Sequence, residues 1–164
     1  MATAETKTTP KNEKAVPATK GATALLRADH QHVSELFAAY EAATTVAKKT
    51  AIVAELCTEL SVHAQVEEEI FYPAVKAALK DKVLVPEATV EHASLKALIA
   101  QVEGVEAEGE MFDAKIKVLS EFVKHHVKEE QGEMFPKAKA SSLDLGALGE
   151  QIAARKAELL AQRA

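Results

Sequence analysis

Four histidines and two glutamates recur in this chain at a spacing suited to holding metal. The stretch DHQHVSELF at positions 29–37 is followed by HAQVEEEIFYP at 63–73, and EHASLKALI at 91–99 by HVKEEQGEMFP at 126–136. His30 and His92 lie 62 positions apart, whereas His63 and His126, Glu67 and Glu130, and Pro73 and Pro136 are each separated by 63. A His and a Glu four apart on a helix sit one turn apart on the same side, so His63–Glu67 and His126–Glu130 can each chelate from one helix. Two carboxylates suit bridging positions between two cations. Two imidazoles per cation then leave room for water, an oxo or hydroxo bridge, or dioxygen. Nitrogen and oxygen donors without thiolate suit iron first and manganese next, and weaken a structural zinc reading.

Each piece alone has a plainer explanation. A single His on an apolar helix face is usually a core residue, and a run such as Glu67, Glu68, Glu69 ordinarily faces water. The doubled set on inward stripes is different, because four buried imidazoles and two buried carboxylates are costly without a partner. The metal set is therefore His30, His63, Glu67, His92, His126 and Glu130. His32 and His125 point about 100° away from their neighbours and read as solvent or interface residues. Asp29 and Glu91 read as exposed acids, with contact to ligand histidines as the other possibility. Glu68, Glu69 and Glu129 fall outside the ligand set. Phe37, Phe71, Phe122 and Phe135 are expected to pack around the site, and Tyr72 is the aromatic whose hydroxyl could approach a metal.

The elements that must position this set are helices. Leu26, His30, Val33, Phe37 and Tyr40 share one face of a helix over about 22–43. A second helix is expected over about 46–80, with Ile52, Leu56, His63, Glu67 and Ile70 inward and a local bend at Pro73. A third begins near Pro86 and carries Ala88, His92, Leu95, Ile99 and Val102 inward. The fourth covers about 110–139, with Leu119, Phe122, His126, Glu130 and Met134 on one face. If paired helices hold their histidines level, the turns fall near Val46 and at Gly109, which suits a turn. These features predict an all-α antiparallel up-down four-helix bundle over 21–140. A flexible tail over 1–20 and a short additional C-terminal helix within 141–164 complete the expected organisation.

Composition excludes other classes. The 164 residues suffice for one domain with a real core. The formal charge of −5, without a one-sided basic face, speaks against nucleic-acid binding. No apolar run approaches the ~20 residues of a membrane span, and the first residues lack the apolar centre of a secretory signal, so a cytoplasmic location is expected. Cys57, the one cysteine, reads as a small apolar core side chain.

The quoted stretches resemble the hemerythrin family, in particular the bacterial hemerythrin-like HHE cation-binding domains, over about Ala22 to Ala140. The resemblance implies an antiparallel four-helix bundle around two iron ions, a non-haem, oxo- or hydroxo-bridged pair. His30 would serve from the first helix, His63 and Glu67 from the second, His92 from the third, and His126 and Glu130 from the fourth, with both glutamates bridging. The chain departs from the respiratory oxygen carriers, which place two histidines four apart on the third helix; here Ala88 and Lys96 flank His92 at that spacing. The fourth helix also has HxxxE rather than a His with a more distant Asp. A more symmetric, more open site follows. The expected function is binding of dioxygen or a related small molecule in stress response or sensing, by a monomer or weak homo-oligomer. Decomposition of hydrogen peroxide, reduction of nitric oxide, and iron storage or structural metal binding are the alternatives. Ferritin-like carboxylate proteins fit less well, because their helices carry Glu before His.

Overall fold

A computed structural model describes residues 21–164; the expected tail over 1–20 lies outside the described residues. Helix α1 (Ala22–Ala42) turns at 43–45 into α2 (Val46–Val66), which runs through a π-helical turn (Glu67–Phe71) into α3 (Tyr72–Leu79). The second half repeats this plan: α4 (Leu84–Val102), a loop, α5 (Glu110–Glu129), a π-helical turn (Glu130–Met134) and α6 (Phe135–Ala140). A final helix, α7 (Leu145–Arg163), packs on α1 and α2. Its 19 residues equal the length of α4, so it is not the short element expected from sequence.

Local chemistry fixes the turns. Thr45 accepts a hydrogen bond from the Lys48 N–H at 3.2 Å and starts α2. Gly109 precedes α5 at φ 91°, a conformation that favours glycine. Both turns fall where level histidines require them. Helix α4 begins at Leu84, two residues before the expected start, because the Asp81 carboxylate accepts from the Leu84 and Val85 N–H groups at 3.0 and 2.8 Å. Pro86 then sits in the first turn, where its missing N–H costs nothing. Asp144 caps α7 through the Ala147 N–H.

The prolines act differently from a simple bend. Pro73 and Pro136 each sit just after a π-helical turn in which an N–H reaches five residues back, Tyr72 to Glu67 and Phe135 to Glu130. The wider turn accommodates the ring that would otherwise clash with the carbonyl four residues earlier. Both turns start on a glutamate of the proposed metal set.

Two apolar clusters enclose a polar layer. One contains Val33, Phe37, Tyr40, Leu56, Ile99 and Leu119; the other contains Leu26, Val66, Phe71, Phe135 and Ile152. His30 follows Leu26 and precedes Val33 on α1, so the histidine layer lies between the clusters. Phe122 departs from expectation. It is 45% exposed, and Ile116, Leu119 and Val123 form the inward face of α5 instead. It sits three residues after Leu119 but four before His126, at the edge of the stripe.

Truncating fully buried Leu26 to Ala is expected to cost about 2–5 kcal/mol, whereas Asp144→Ala, which removes only a helix cap, should cost about 1 kcal/mol. Urea denaturation of both variants measures the difference.

Candidate metal centre

All six residues of the sequence-derived set converge in the buried layer. His30 and His63 approach through their Nε2 atoms at 3.1 Å. His92 and His126 do so at 3.2 Å. Glu67 Oε1 lies 2.8 Å from His63 Nε2 and 3.5 Å from His92 Nε2, and so spans the two imidazole pairs. Glu130 spans them from the other side, with Oε1 3.1 Å from His30 Nε2 and Oε2 3.3 Å from His126 Nε2. One helix turn from α1, α2, α4 and α5, or from the π-helical turns that continue them, supplies each group.

The donor atoms point at one another, and most of the carboxylate oxygens among them find no hydrogen bond. Both Glu67 oxygens and Glu130 Oε1 are buried without a hydrogen-bond partner. A buried carboxylate in that condition costs several kcal/mol unless a cation occupies the space it faces. The donor groups fall into two overlapping sets, His30–His63–Glu67–Glu130 and Glu67–His92–His126. The two sets meet at Glu67.

Residues 21–138 match the hemerythrin HHE cation-binding domain. The chain belongs to the hemerythrin HHE cation-binding family. A solved structure of a hemerythrin HHE cation-binding domain-containing protein from Mycobacterium kansasii is similar in fold, with a TM-score of 0.73 over 85% of this chain and 87% of that one at 24% identity. A protein named DNA nickase from a Nostoc species is 25% identical over 111 residues, 68% of this chain. The chain spans about a third of that relative's length, 31%.

Around the hemerythrin-type layer lies a second ring of contacts that sequence reading only half found. Asp29 and Glu91 are not simple exposed acids. Asp29 Oδ2 accepts from His63 Nδ1 at 2.9 Å, and Glu91 Oε1 from His126 Nδ1 at 3.1 Å. Each acid therefore orients the histidine of the adjacent helix, because the pairing of α1 with α2 and of α4 with α5 points it across the hairpin rather than outward. Gln131 was missed. Its Oε1 lies 2.7 Å from His30 Nδ1, and its equivalent Glu68 stands 3.8 Å from His92 Nδ1. The signal was available: both residues directly follow the repeated glutamates. The contacts to His30, His63 and His126 hold those Nε2 atoms toward the centre of the layer, whereas His92 Nδ1 is buried without a hydrogen-bond partner.

Tyr72 also enters the layer. Its hydroxyl donates to Glu130 Oε2 at 2.6 Å and lies 3.2 Å from Nε2 of both His92 and His126. His32 and His125 stay outside the six, His32 beside Glu55 on the surface. Cys57 is fully buried among apolar side chains, and burial pushes its thiol up to about 11.

Protons and carboxylates compete here for the same positions. Burial opposes the His63 cation, but Glu67, Asp29 and Glu130 outweigh it and hold its pKa well above the usual histidine value. His126 is likewise disfavoured by burial yet raised to about 9, mainly by Glu130. Burial and the carboxylates of Glu67 and Glu130 together push the Tyr72 hydroxyl well above its ordinary value. In the metal-free protein the imidazolium protons thus stand in for missing cations.

A histidine with a raised folded-state pKa contributes stability below its unfolded value, 6.5, and loses it as pH climbs through the folded value, about 9 for His126. The metal-free protein is therefore expected to melt lower at pH 9 than at pH 6.5, by on the order of 5 °C. Metal-loaded protein, whose histidines are already neutral, should not follow this trend. Thermal denaturation of both forms across that range checks the sign.

Proposed function

We propose that this protein is a hemerythrin-like non-haem di-iron protein that binds dioxygen or a related small molecule. In this reading residues 21–140 form an antiparallel up-down four-helix bundle, and 141–164 a helical extension braced on it. His30 and His63 hold one iron, His92 and His126 the other, and Glu67 and Glu130 bridge them. The orphaned carboxylate oxygens carry the proposal, because buried and without hydrogen bonds among four imidazoles they call for positive charge. Nitrogen and oxygen donors suit iron, with manganese or zinc next in order.

The space for a ligand is small and apolar on its far side. A cavity of about 30 Å³ is bounded by the four histidines and by Val33, Leu60, Leu95, Ile99, Val123 and Val127. That admits one or two water-sized molecules, which selects dioxygen, nitric oxide or peroxide over anything larger. A reduced iron pair would supply electrons to such a ligand. The protein's share is to orient the imidazoles through Asp29, Glu91 and Gln131 and to exclude bulk water with the aliphatic wall.

Tyr72 favours a second reading, decomposition of hydrogen peroxide. Its hydroxyl sits against His92, His126 and Glu130, where it can complete the coordination of one ion or hold a proton beside it. The nicking activity in the Nostoc relative's name is that protein's, and nothing in this site's geometry calls for a nucleic acid. No helix among the described residues is long and apolar enough to cross a membrane.

Elemental analysis is expected to find two irons per chain, with an absorption band that responds to dioxygen or peroxide and is lost in His63→Ala. Protein holding no stoichiometric iron, or iron indifferent to both molecules, would overturn the reading. Rapid peroxide turnover abolished by Tyr72→Phe, with iron content retained, would move the assignment to the enzyme. Asp29→Asn should keep the fold but weaken metal retention about 10–100-fold, measured by competition with a chelator.

A further inference from the structure

The two hairpins share one plan of helices and ligand positions, and α7 packs mainly on the first of them. On the first hairpin, Lys156 of α7 places its ammonium 2.5 Å from Asp29 Oδ1 and 3.8 Å from Glu59 Oε2. Asp29 is the acid that orients His63, so a cation backs this side of the centre. Val62 and Val66 beside it are buried in the cluster that includes Ile152 and Leu159 of α7.

On the second hairpin the equivalent positions, shifted by 62 on the first helix and 63 on the second, are Glu91 for Asp29, His125 for Val62 and Glu129 for Val66. Among the described residues no helix covers them. Instead a groove of about 350 Å³ opens beside Glu87, Glu91, Phe122 and His125. Apolar residues under α7 are thus replaced, in the uncovered copy, by an imidazole and a carboxylate. Among the described residues no lysine or arginine pairs with Glu91 or Glu129.

We propose that the edge of this groove holds a third cation, a divalent first-row metal bound by Glu91 and His125 from its lining and by Glu129 beside them. His125 Nε2 lies 3.3 Å from Glu129 Oε1 and 3.6 Å from Glu91 Oε2. Ligand atoms bonded at about 2.0–2.2 Å to a tetrahedral ion stand roughly 3.3–3.6 Å from one another, so each carboxylate is already at ligand spacing from the imidazole, and the three donor atoms all lie within 4.8 Å of one another. Water completes the shell on the open side. The Lys156 ammonium on the other hairpin shows independently that the acid behind the ligand histidine is a position for positive charge.

The same ion stands at the head of a way inward. A small hollow beneath it is lined by Glu91, Glu129, His126 and Glu130, and Glu130, 2% exposed, belongs to the buried layer. The outer site captures a hydrated cation and passes it to His126 and Glu130; this role rests on the di-iron reading, whereas the outer site itself does not. On the first hairpin the equivalent acid, Asp29, is paired with Lys156 instead.

Zinc titrated calorimetrically into the purified, iron-loaded full chain is expected to bind as one further ion per chain. His125→Ala and Glu129→Gln should each weaken that binding by at least about tenfold, while His32→Ala, which removes an equally exposed imidazole facing only Glu55, should not. Stopped-flow uptake of ferrous ion by metal-free protein should slow in the first two variants, with final iron content and absorption spectrum unchanged. No additional zinc in the unaltered protein, or equal affinity in all three variants, would overturn the outer site. Unchanged uptake rates would overturn its delivery role. A chain that takes up no buried iron at all would defeat the proposed function, yet the zinc measurement would still decide the outer site.

Discussion

The structure depends on one expensive arrangement: four imidazoles and two carboxylates gathered in an apolar interior with their donor atoms aimed at a common space. Water does not reach Glu67 or Glu130, which are 0 and 2% exposed, and neighbouring groups leave three of their four oxygens without a hydrogen bond. In the absence of metal the layer reduces its cost by binding protons on His63 and His126. That solution is pH-dependent and leaves the carboxylates poorly directed. Cations would satisfy both problems together, so metal binding is expected to be coupled to the stability of the fold.

Everything else in the architecture serves the alignment of that layer. Apolar clusters above and below it fix the heights of α1, α2, α4 and α5. Π-helical turns beginning at Glu67 and Glu130 let each proline follow its glutamate without breaking the helix, and the first brings Tyr72 inward against the second pair of histidines. Asp29, Glu91 and Gln131 hold imidazole edges from behind, which turns three of the four rings, His63, His126 and His30, into directed donors. Helix α7 adds asymmetry, since it seals one hairpin with Lys156 and leaves the other open. Two nearly equivalent half-sites thereby acquire different surroundings, one backed by a fixed ammonium and one facing a groove lined with ligating groups.

The central layer was legible in the sequence because its requirements are periodic. A His and a Glu four apart, repeated with a Pro six beyond, leave a register that apolar spacing alone does not produce. Turn positions followed from the same register. Less legible were contacts that depend on which helix packs beside which: Asp29 and Glu91 look like surface acids until the hairpin closes and aims them at His63 and His126. Π-helical geometry is invisible to a 3.6-residue pattern, although the Glu-to-Pro interval marks where it occurs. Phe122 was misplaced because an aromatic at the edge of an inward stripe was read as part of it. The reach of α7 depends on Lys156 meeting an acid 127 positions earlier, a pairing no local pattern announces.

Anomalous diffraction at the iron absorption edge, on crystals of the iron-loaded full chain, tests the account most directly. Two peaks are expected about 3.5–4 Å apart, one against His30 and His63 and the other against His92 and His126, with Glu67 and Glu130 between them. A single peak, or iron located only at the protein surface, would contradict it.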